Sequence, residues 1–262
     1  MKISKIKISI IAIFTVIIAI SFNKAAIYGI NKSSGPTVIQ YQSSDGFNIT
    51  GQLDIPNRAS VKKRVPLVIL LHSLGGSKND WGTFPQSIKN LGFATLCLDM
   101  RGHGLSIIDR RNKKRYWSNF KVKEFAKYPV DVNAGIKYIK DNYPEINTSK
   151  VALVGADIGA NTAIITGSRS KNIKTIVLLT PTISYKGLET RIPMAEYGVH
   201  PVLIIVSKSD GFAYKGASDL IKYAQGKKQL KVYPYGGCGI SLLKFQPSSK
   251  NIILNWLKTN LV

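Results

Sequence analysis

Short apolar runs alternate with amphipathic stretches along most of this chain. Residues 65–71 are almost continuously apolar, a pattern typical of a strand buried on both faces of a sheet. Residues 128–142 instead place Val132, Ile136 and Ile139 at helical spacing, which predicts a helix with one face in the core. The pattern therefore predicts strands and helices that follow one another along the chain.

The same criteria, applied to the whole chain, predict the secondary-structure elements. Strands are expected at 38–43, 47–53, 65–71, 93–98, 151–154, 175–179, 202–206 and 230–233. Helices are expected at 80–91, 128–142, 161–167, 188–197, 215–225 and 249–257. Because helices separate most of the strands, the predicted fold class is α/β, with a mostly parallel sheet covered on both faces.

The N-terminal segment has the layout of a secretory signal. Lysines precede an apolar run at 8–22, and a basic region ahead of an apolar one is the pattern of an export signal. Residues 1–26 are therefore predicted to be a signal peptide or an N-terminal membrane anchor, and residues 36–262 a single folded domain. Both alternatives stay open, because the cleavage site is poorly formed and the roughly 16 residues between Lys7 and Lys24 fall short of the ~20 that span a bilayer. In either case the domain is expected to be exported: periplasmic, extracellular or anchored to the outer face of the cytoplasmic membrane.

The chain is strongly basic, with 37 Lys and Arg against 14 Asp and Glu and a formal net charge of +23. Such a surface attracts anionic lipid, cell-wall polymer or nucleic acid in a salt-dependent way. The densest basic run, residues 110–117, can be read as an anionic-ligand patch, but a solvated loop is the favoured interpretation. No nucleic acid partner is expected, because no recognition motif accompanies the charge. The expected partner is an unidentified small molecule or an anionic component of the cell envelope, with membrane association as an alternative.

A carboxylate stands at the most informative turn of the sequence. Residues 150–160 are an apolar strand that runs into Gly155-Ala-Asp157-Ile-Gly159 and then into a helical stretch. In the turn Gly-x-Ser-x-Gly, small residues on both sides allow a strained backbone to push a nucleophilic serine into a pocket. Here the glycines are kept and Asp157 stands in the serine position. The turn is therefore predicted to survive while its chemistry changes.

Four motifs resemble those of the α/β-hydrolase superfamily and come in that family's order. They are the oxyanion loop, an Asp-x-Arg-Gly-His-Gly-x-Ser turn, the nucleophile turn and the strand that delivers the acid, at 72–76, 98–106, 155–159 and 201–210. Residues 36–260 are thus similar to capless esterases, dienelactone hydrolases and serine aminopeptidases. The resemblance implies a doubly wound, mostly parallel eight-stranded sheet with helices on both faces. A large cap is not expected, because only about 20 residues separate Thr180 from His200.

The family's catalytic roles carry over incompletely. The positions of the nucleophile, the acid and the histidine hold Asp157, Asp210 and Cys238. The resemblance implies oxyanion donors at the backbone N–H of Ile158 and at that of Ser73 or Leu74. A serine needs an adjacent base to become nucleophilic, so the missing histidine matters more than the changed nucleophile.

The other histidines and the second cysteine receive structural interpretations. The chain has three histidines, all of which precede Asp210: His72, His103 and His200. Each is expected to be a packing or turn residue. Cys97 lies inside an apolar strand and is expected in the core, with a disulfide to Cys238 as the disfavoured alternative.

Four functions compete, and whether the chain catalyses anything stays open. The favoured function is a catalytically degenerate α/β-hydrolase that serves as an exported binding or scaffold protein. A second is an active hydrolase of esters or related small substrates with Asp157 as nucleophile, since haloalkane dehalogenases and epoxide hydrolases use an aspartate at this turn. A third is a metal site built from Asp157, Asp210 and Cys238, because carboxylates and thiolates bind zinc. The last is a membrane-surface role driven by charge. No cofactor is expected.

Overall fold

Ten strands are found in residues 35–261, the part of the chain that the computed structural model describes. They are β1 (Thr37–Gln42), β2 (Asn48–Asp54), β3 (Val65–Leu71), β4 (Ala94–Leu98), β5 (Ile146–Ala156), β6 (Ile173–Leu179), β7 (Ser184–Tyr185), β8 (Leu188–Glu189), β9 (Val202–Ser207) and β10 (Lys228–Tyr233). Eight of them form one sheet in the order β1-β2-β4-β3-β5-β6-β9-β10, and β7 pairs with β8. The predicted eight-stranded sheet is confirmed.

The sheet is mostly parallel, as predicted. β1 is antiparallel to β2, and β2 is antiparallel to β4. The remaining neighbours in the sheet, from β4 through β3, β5, β6 and β9 to β10, run parallel. The carboxyl ends of the parallel strands therefore meet at one edge of the sheet, where ligands bind in doubly wound folds.

Helices form the two outer layers. They are α1 (Phe84–Asn90), α2 (Val122–Phe125), α3 (Tyr128–Asn142), α4 (Ile158–Ser168), α5 (Arg191–Glu196), α6 (Gly211–Tyr223), α7 (Ser241–Phe245) and α8 (Ser248–Asn260). Alternate residues of β3 enter two separate cores. Ile69 belongs to the core that α3 and α4 cover, and Leu70 belongs to the core under α1 and α8. Burial on both faces explains why the central strands are continuously apolar.

Several predicted boundaries are wrong for local reasons. The helix expected at 80–91 is interrupted, because Lys78–Trp81 is a 3-10 turn and Gly82 has a φ of 53°. The helix expected at 188–197 begins only at Arg191, since the preceding residues form the β7–β8 hairpin around Gly187. The helix expected at 215–225 begins at Gly211, because the Asp210 side chain caps it. The short helices α2 and α7 were not predicted.

The segment between β6 and β9 holds only the β7–β8 hairpin and α5, so no large cap is evident among residues 35–261. These residues belong to one compact unit. Within residues 35–261, no helix combines the length and the apolar character needed to cross a membrane. The signal peptide or anchor predicted at 1–26 lies outside the described residues.

Candidate functional site

Asp157 stands on a strained turn between β5 and α4. Its φ of 54° and ψ of −116° lie in a region that residues with side chains rarely adopt. Two glycines make the turn sterically allowed. A Cβ on Gly155 would lie 2.2 Å from the Gly159 carbonyl oxygen, and a Cβ on Gly159 would lie 2.2 Å from the Leu71 carbonyl oxygen. The structure thus contains the predicted strand-to-helix turn, with glycine at each point where backbone segments cross.

The Asp157 carboxylate interacts with the backbone amides that the sequence predicts as oxyanion donors. The Leu74 N–H donates a hydrogen bond of 3.1 Å to Oδ2 of Asp157. Burial raises the pKa of Asp157, hydrogen bonding by the amides of Leu74 and Ile158 opposes that rise, and the charge of Asp210 adds to it. Negative charge that develops on a bound substrate would have to compete with this carboxylate for the same N–H groups.

Ser73, the other residue considered for the oxyanion loop, makes different contacts. Its Oγ accepts a hydrogen bond of 3.4 Å from the Ile240 N–H. Its carbonyl oxygen lies 2.7 Å from Nδ1 of His72. Leu74 is thus the residue whose amide contacts Asp157, whereas Ser73 joins the oxyanion loop to the segment that follows Cys238.

Asp210, at the position of the acid, forms the N-cap of α6. Its Oδ1 accepts a hydrogen bond of 3.1 Å from the Ala213 N–H. The sequence places no histidine after Asp210 for this carboxylate to orient, and the helix N-terminus supplies a backbone donor in its place. Asp210 nevertheless lies close enough to Asp157 and Cys238 for its charge to raise the pKa of both.

Cys238, at the position of the histidine, lies in the loop between β10 and α7 with an exposed, free thiol. Burial of part of the side chain raises its pKa, and the charges of Asp210 and Asp157 raise it further. The protonated thiol is therefore favoured over the thiolate, which is the opposite of an activated cysteine. The next residue fixes the loop, because the Gly239 N–H donates to Oγ1 of Thr180 at 2.7 Å.

Gly239 brings this loop directly over the Asp157 turn. A Cβ on Gly239 would lie 2.1 Å from Oγ of Ser73 and 3.5 Å from Cβ of Asp157. Its φ of 55° also lies in the left-handed region that favours glycine. The loop that contains Cys238 therefore lies against the turn that contains Asp157.

The proposed metal site is not supported. No group of three or more His, Cys, Asp or Glu side chains suited to a metal ion occurs among residues 35–261. One oxygen of the Asp157 carboxylate accepts a hydrogen bond from the Leu74 amide, and one oxygen of the Asp210 carboxylate accepts one from the Ala213 amide. Backbone donors therefore already use part of the capacity that these carboxylates would need to bind a metal ion.

His72 is fully buried and engaged through both ring nitrogens. Nδ1 faces the Ser73 carbonyl oxygen at 2.7 Å, and Nε2 accepts a hydrogen bond of 3.0 Å from the Met100 N–H. Burial lowers the pKa of His72, so the neutral ring with its proton on Nδ1 fits both contacts. His200 packs against the Tyr197 ring, with 5.2 Å between the ring centroids. These contacts agree with the structural interpretation of both histidines.

His103 also has a structural role. Its Nε2 accepts a hydrogen bond of 3.1 Å from the Gly75 N–H, and its Nδ1 faces the Arg101 carbonyl oxygen at 3.1 Å. Burial lowers its pKa to about 4, and the neighbouring His72 contributes to the decrease. The ring also stacks on Trp117, with 5.6 Å between centroids. His103 therefore supports the oxyanion loop and is not a general base for the site.

Two residues near the site were missed from the sequence. Tyr185 lies on β7, and its pKa is raised by burial and by the charges of Asp157 and Cys238. Thr180 has a φ of 50° and holds the Cys238 loop through its hydroxyl group. Neither residue belongs to a motif. Both lie between the strand predicted at 175–179 and the helix predicted at 188–197, so no predicted element included them.

A fold of this kind, with a strained strand-to-helix turn at the carboxyl edge of the sheet, is that of the α/β-hydrolases. The family model of the serine aminopeptidases S33 matches residues 62–198, and the chain belongs to that family. The match includes the oxyanion loop and the Asp157 turn and ends before Asp210 and Cys238. No curated protein sequence matches the chain.

Solved structures show the same fold at low sequence identity. A dienelactone hydrolase from Anabaena variabilis has a TM-score of 0.67 and 18% identity, with 87% of this chain and 99% of that chain covered. An acetyl xylan esterase from Paenibacillus sp. R4 has a TM-score of 0.72 and 15% identity, with 86% and 83% covered. An esterase from Pyrococcus furiosus has a TM-score of 0.69 and 19% identity, with 87% and 93% covered.

Proposed function

We propose that this chain is a catalytically degenerate α/β-hydrolase that serves as an exported binding or scaffold protein. One observation supports the proposal most directly. The Asp157 carboxylate accepts a hydrogen bond from the Leu74 N–H, so the side chain at the nucleophile position already uses an oxyanion donor. In acyl transfer these donors stabilise charge that develops only in the transition state. A permanent carboxylate at this point repels that charge and uses the donor in the resting protein.

The position of the histidine supports the same conclusion. A general base must accept a proton near neutral pH, and a cysteine whose pKa is raised remains a protonated thiol there. His72 and His103 cannot replace it, because their ring nitrogens are held by backbone groups. The proposal thus pairs an intact fold with a site that lacks both an activated nucleophile and a base.

Export is part of the proposal and rests on the sequence. Lysines precede the apolar run at 8–22, and residues 1–26 are proposed to be a signal peptide or an anchor. The net charge of +23 supports an anionic component of the cell envelope as the partner, with a small molecule at the Asp157 site as the alternative.

Active-site labelling tests the loss of serine-type chemistry. A fluorophosphonate probe should not label the wild type or the Asp157→Ser variant, because the base is missing in both. The double variant Asp157→Ser with Cys238→His restores the nucleophile and the base, and we expect measurable ester hydrolysis from it. Thermal melting of all proteins checks that each is folded. Labelling of a serine near the Asp157 turn of the wild type would contradict the proposal.

An active hydrolase with Asp157 as nucleophile is the second candidate, and the strained backbone at Asp157 favours it. Residues with strained backbones cluster at functional sites. Asp157 has such a backbone even though it stands where the family has a serine. An aspartate needs no activation to attack an alkyl carbon, and the resulting ester would persist without an imidazole to activate water. Intact-mass spectrometry after incubation with alkyl halides and epoxides separates the two functions. An adduct that is absent from Asp157→Asn supports the nucleophile, and an unchanged mass supports the degenerate site.

A further inference from the structure

A basic cavity of about 510 Å³ lies outside the Asp157 site. Neither Asp157 nor Asp210 nor Cys238 lines it. Its walls come from the loop after β4, the segment around α2 and the turn between β1 and β2. Six cationic side chains line it: Arg101, Arg110, Arg111, Lys113, Arg115 and Lys127.

The basic run that lines this cavity is a hydrogen-bonded turn. Arg110, Arg111 and Lys113 are exposed, as expected for a solvated loop, but hydrogen bonds fix the backbone. The Asp109 carboxylate accepts the N–H groups of Arg111 and Lys113, and Ile108 pairs with Lys114 across the turn. The cationic side chains therefore project from a defined backbone, which lowers the entropy that a ligand must remove on binding.

Contacts with the β1–β2 turn fix one of these cations further. A Cβ on Gly46 would lie 2.7 Å from Cβ of Arg110, so the Arg110 side chain packs against the backbone of that turn. Gly46 has a φ of 80°, a conformation that glycine adopts without strain. The glycine thus allows Arg110 to approach the cavity wall closely.

The carboxylates that line the cavity form ion pairs with only some of its cationic side chains. Arg101 and Lys127 both contact Asp45, at 2.9 and 2.8 Å. Arg115 lies 3.6 Å from Asp109 and 3.6 Å from Glu124.

The remaining three cations have no such partner. In the part of the chain that the structure describes, no ion pair is formed by Arg110, Arg111 or Lys113. Three cations that face one cavity without counter-charges repel one another, and an anion bound between them relieves that repulsion. The excess of three positive charges fits a ligand with several negative charges better than one carboxylate.

The donor types favour phosphate. Guanidinium groups bind phosphate oxygens through two parallel hydrogen bonds, and a lysine ammonium adds a compact point charge. Arg110, Arg111 and Lys113 line the cavity without an ion-pair partner, so two guanidinium groups and one ammonium supply donors in several directions. A cavity of this size accommodates two or three linked phosphate groups.

We propose that Arg110, Arg111 and Lys113 form a binding site for a ligand that carries two or more phosphate groups. This inference goes beyond the proposed function, because it does not depend on whether Asp157 reacts. The same chemistry occurs in a free polyphosphate and in the headgroups of an anionic phospholipid surface, and the experiment distinguishes these two sources.

Isothermal titration calorimetry with tripolyphosphate at physiological salt tests the site directly. The test variant is Arg110→Gln, Arg111→Gln and Lys113→Gln combined. The matched control is Lys62→Gln, Lys63→Gln and Lys171→Gln combined, which removes the same charge from exposed positions outside the cavity. We expect one tripolyphosphate per wild-type protein, affinity at least about 100-fold weaker in the test variant, and little change in the control.

Co-sedimentation with phosphatidylglycerol vesicles, with phosphatidylcholine vesicles as a blank, tests the lipid source. Vesicle binding that the test variant loses and the control keeps, without tripolyphosphate binding, assigns the site to phospholipid headgroups. If the wild type and the control bind tripolyphosphate and the test variant does not, the site is assigned to a free ligand. Equally weakened ligand binding in the two variants would mean general attraction to a chain of charge +23 and would overturn the proposal. Failure of the wild type to bind either tripolyphosphate or the phosphatidylglycerol vesicles would also overturn it. Equal melting temperatures of the three proteins exclude unfolding as the cause.

Discussion

Replacing Asp157 by asparagine should stabilise the protein at neutral pH. The carboxylate is largely buried, and burial raises its pKa although the amides of Leu74 and Ile158 donate hydrogen bonds to it. The cost of removing the charge from water therefore exceeds the gain from those hydrogen bonds. The Asp157→Asn variant removes the charge and keeps an oxygen that can accept the Leu74 N–H.

The size of the effect follows from the contacts. Hydrogen bonds to charged groups contribute roughly 1 kcal/mol more than those between neutral groups, so the variant loses about that much at Leu74. It regains a larger amount because no charge is buried. We expect a net increase of about 1 kcal/mol in the free energy of unfolding at pH 7, which corresponds to about 2–4 °C in melting temperature for a domain of this size.

The pH dependence separates this explanation from others. Because the pKa of Asp157 is higher in the folded protein than in the unfolded chain, the folded state binds more protons between these two pKa values. The wild type therefore loses stability as the pH rises through that window, and the variant does not. The advantage of Asp157→Asn should disappear when the pH falls below the ordinary pKa of aspartate.

Urea unfolding at several pH values from 3 to 8 measures the difference. Asp141→Asn is the control, because Asp141 is an exposed carboxylate that pairs with Lys137 on the surface of α3. We expect the control to change by less than about 0.5 kcal/mol at each pH. A variant at Asp157 that is less stable than the wild type at pH 7, or whose advantage does not depend on pH, would refute the reasoning.

Three further predictions concern the fold and the N-terminus. Asp99→Ala should lower the free energy of unfolding by about 3–5 kcal/mol, because it leaves the buried ammonium of Lys78 without its partner, whereas Asp141→Ala should cost less than about 0.5 kcal/mol; urea unfolding compares them. Gly159→Ala should prevent or strongly reduce folding, since the new Cβ would meet backbone at 2.2 Å, and circular dichroism of the purified variant checks this. A reporter fused after Gly35 should be active only outside the cytoplasm, and activity confined to the cytoplasm would exclude export.

The fold could be predicted because its signals are local. Continuous apolar runs mark strands that are buried on both faces, and β3 and β4 have that burial. The helix predicted at 128–142 coincides with α3, since its apolar spacing is undisturbed. The helix predicted at 188–197 begins later, at Arg191, because Gly187, at a φ of 82°, and the pairing of β7 with β8 depend on contacts that periodicity does not record.

The sequence predicted which residues form the site but not which atoms contact one another there. The motifs located Asp157, Asp210 and Cys238, and the structure brings Asp210 close enough for its charge to raise the pKa of Asp157 and of Cys238. The sequence left Ser73 and Leu74 as alternatives for the oxyanion loop, and only the backbone geometry shows that the Leu74 amide contacts Asp157. Likewise, only the structure shows that backbone amides occupy one oxygen of each carboxylate of the expected metal site.

Hydrolysis of a broad panel of esters by the wild type and by Asp157→Ala tests whether the site has lost its hydrolase chemistry. We expect both proteins to leave the esters unchanged relative to buffer, because the Asp157 carboxylate occupies the oxyanion donor and no imidazole is available as a base. Thermal melting checks that both proteins are folded during the assay. Turnover by the wild type that the Asp157→Ala variant loses would rule out a degenerate site and establish Asp157 as a catalytic residue.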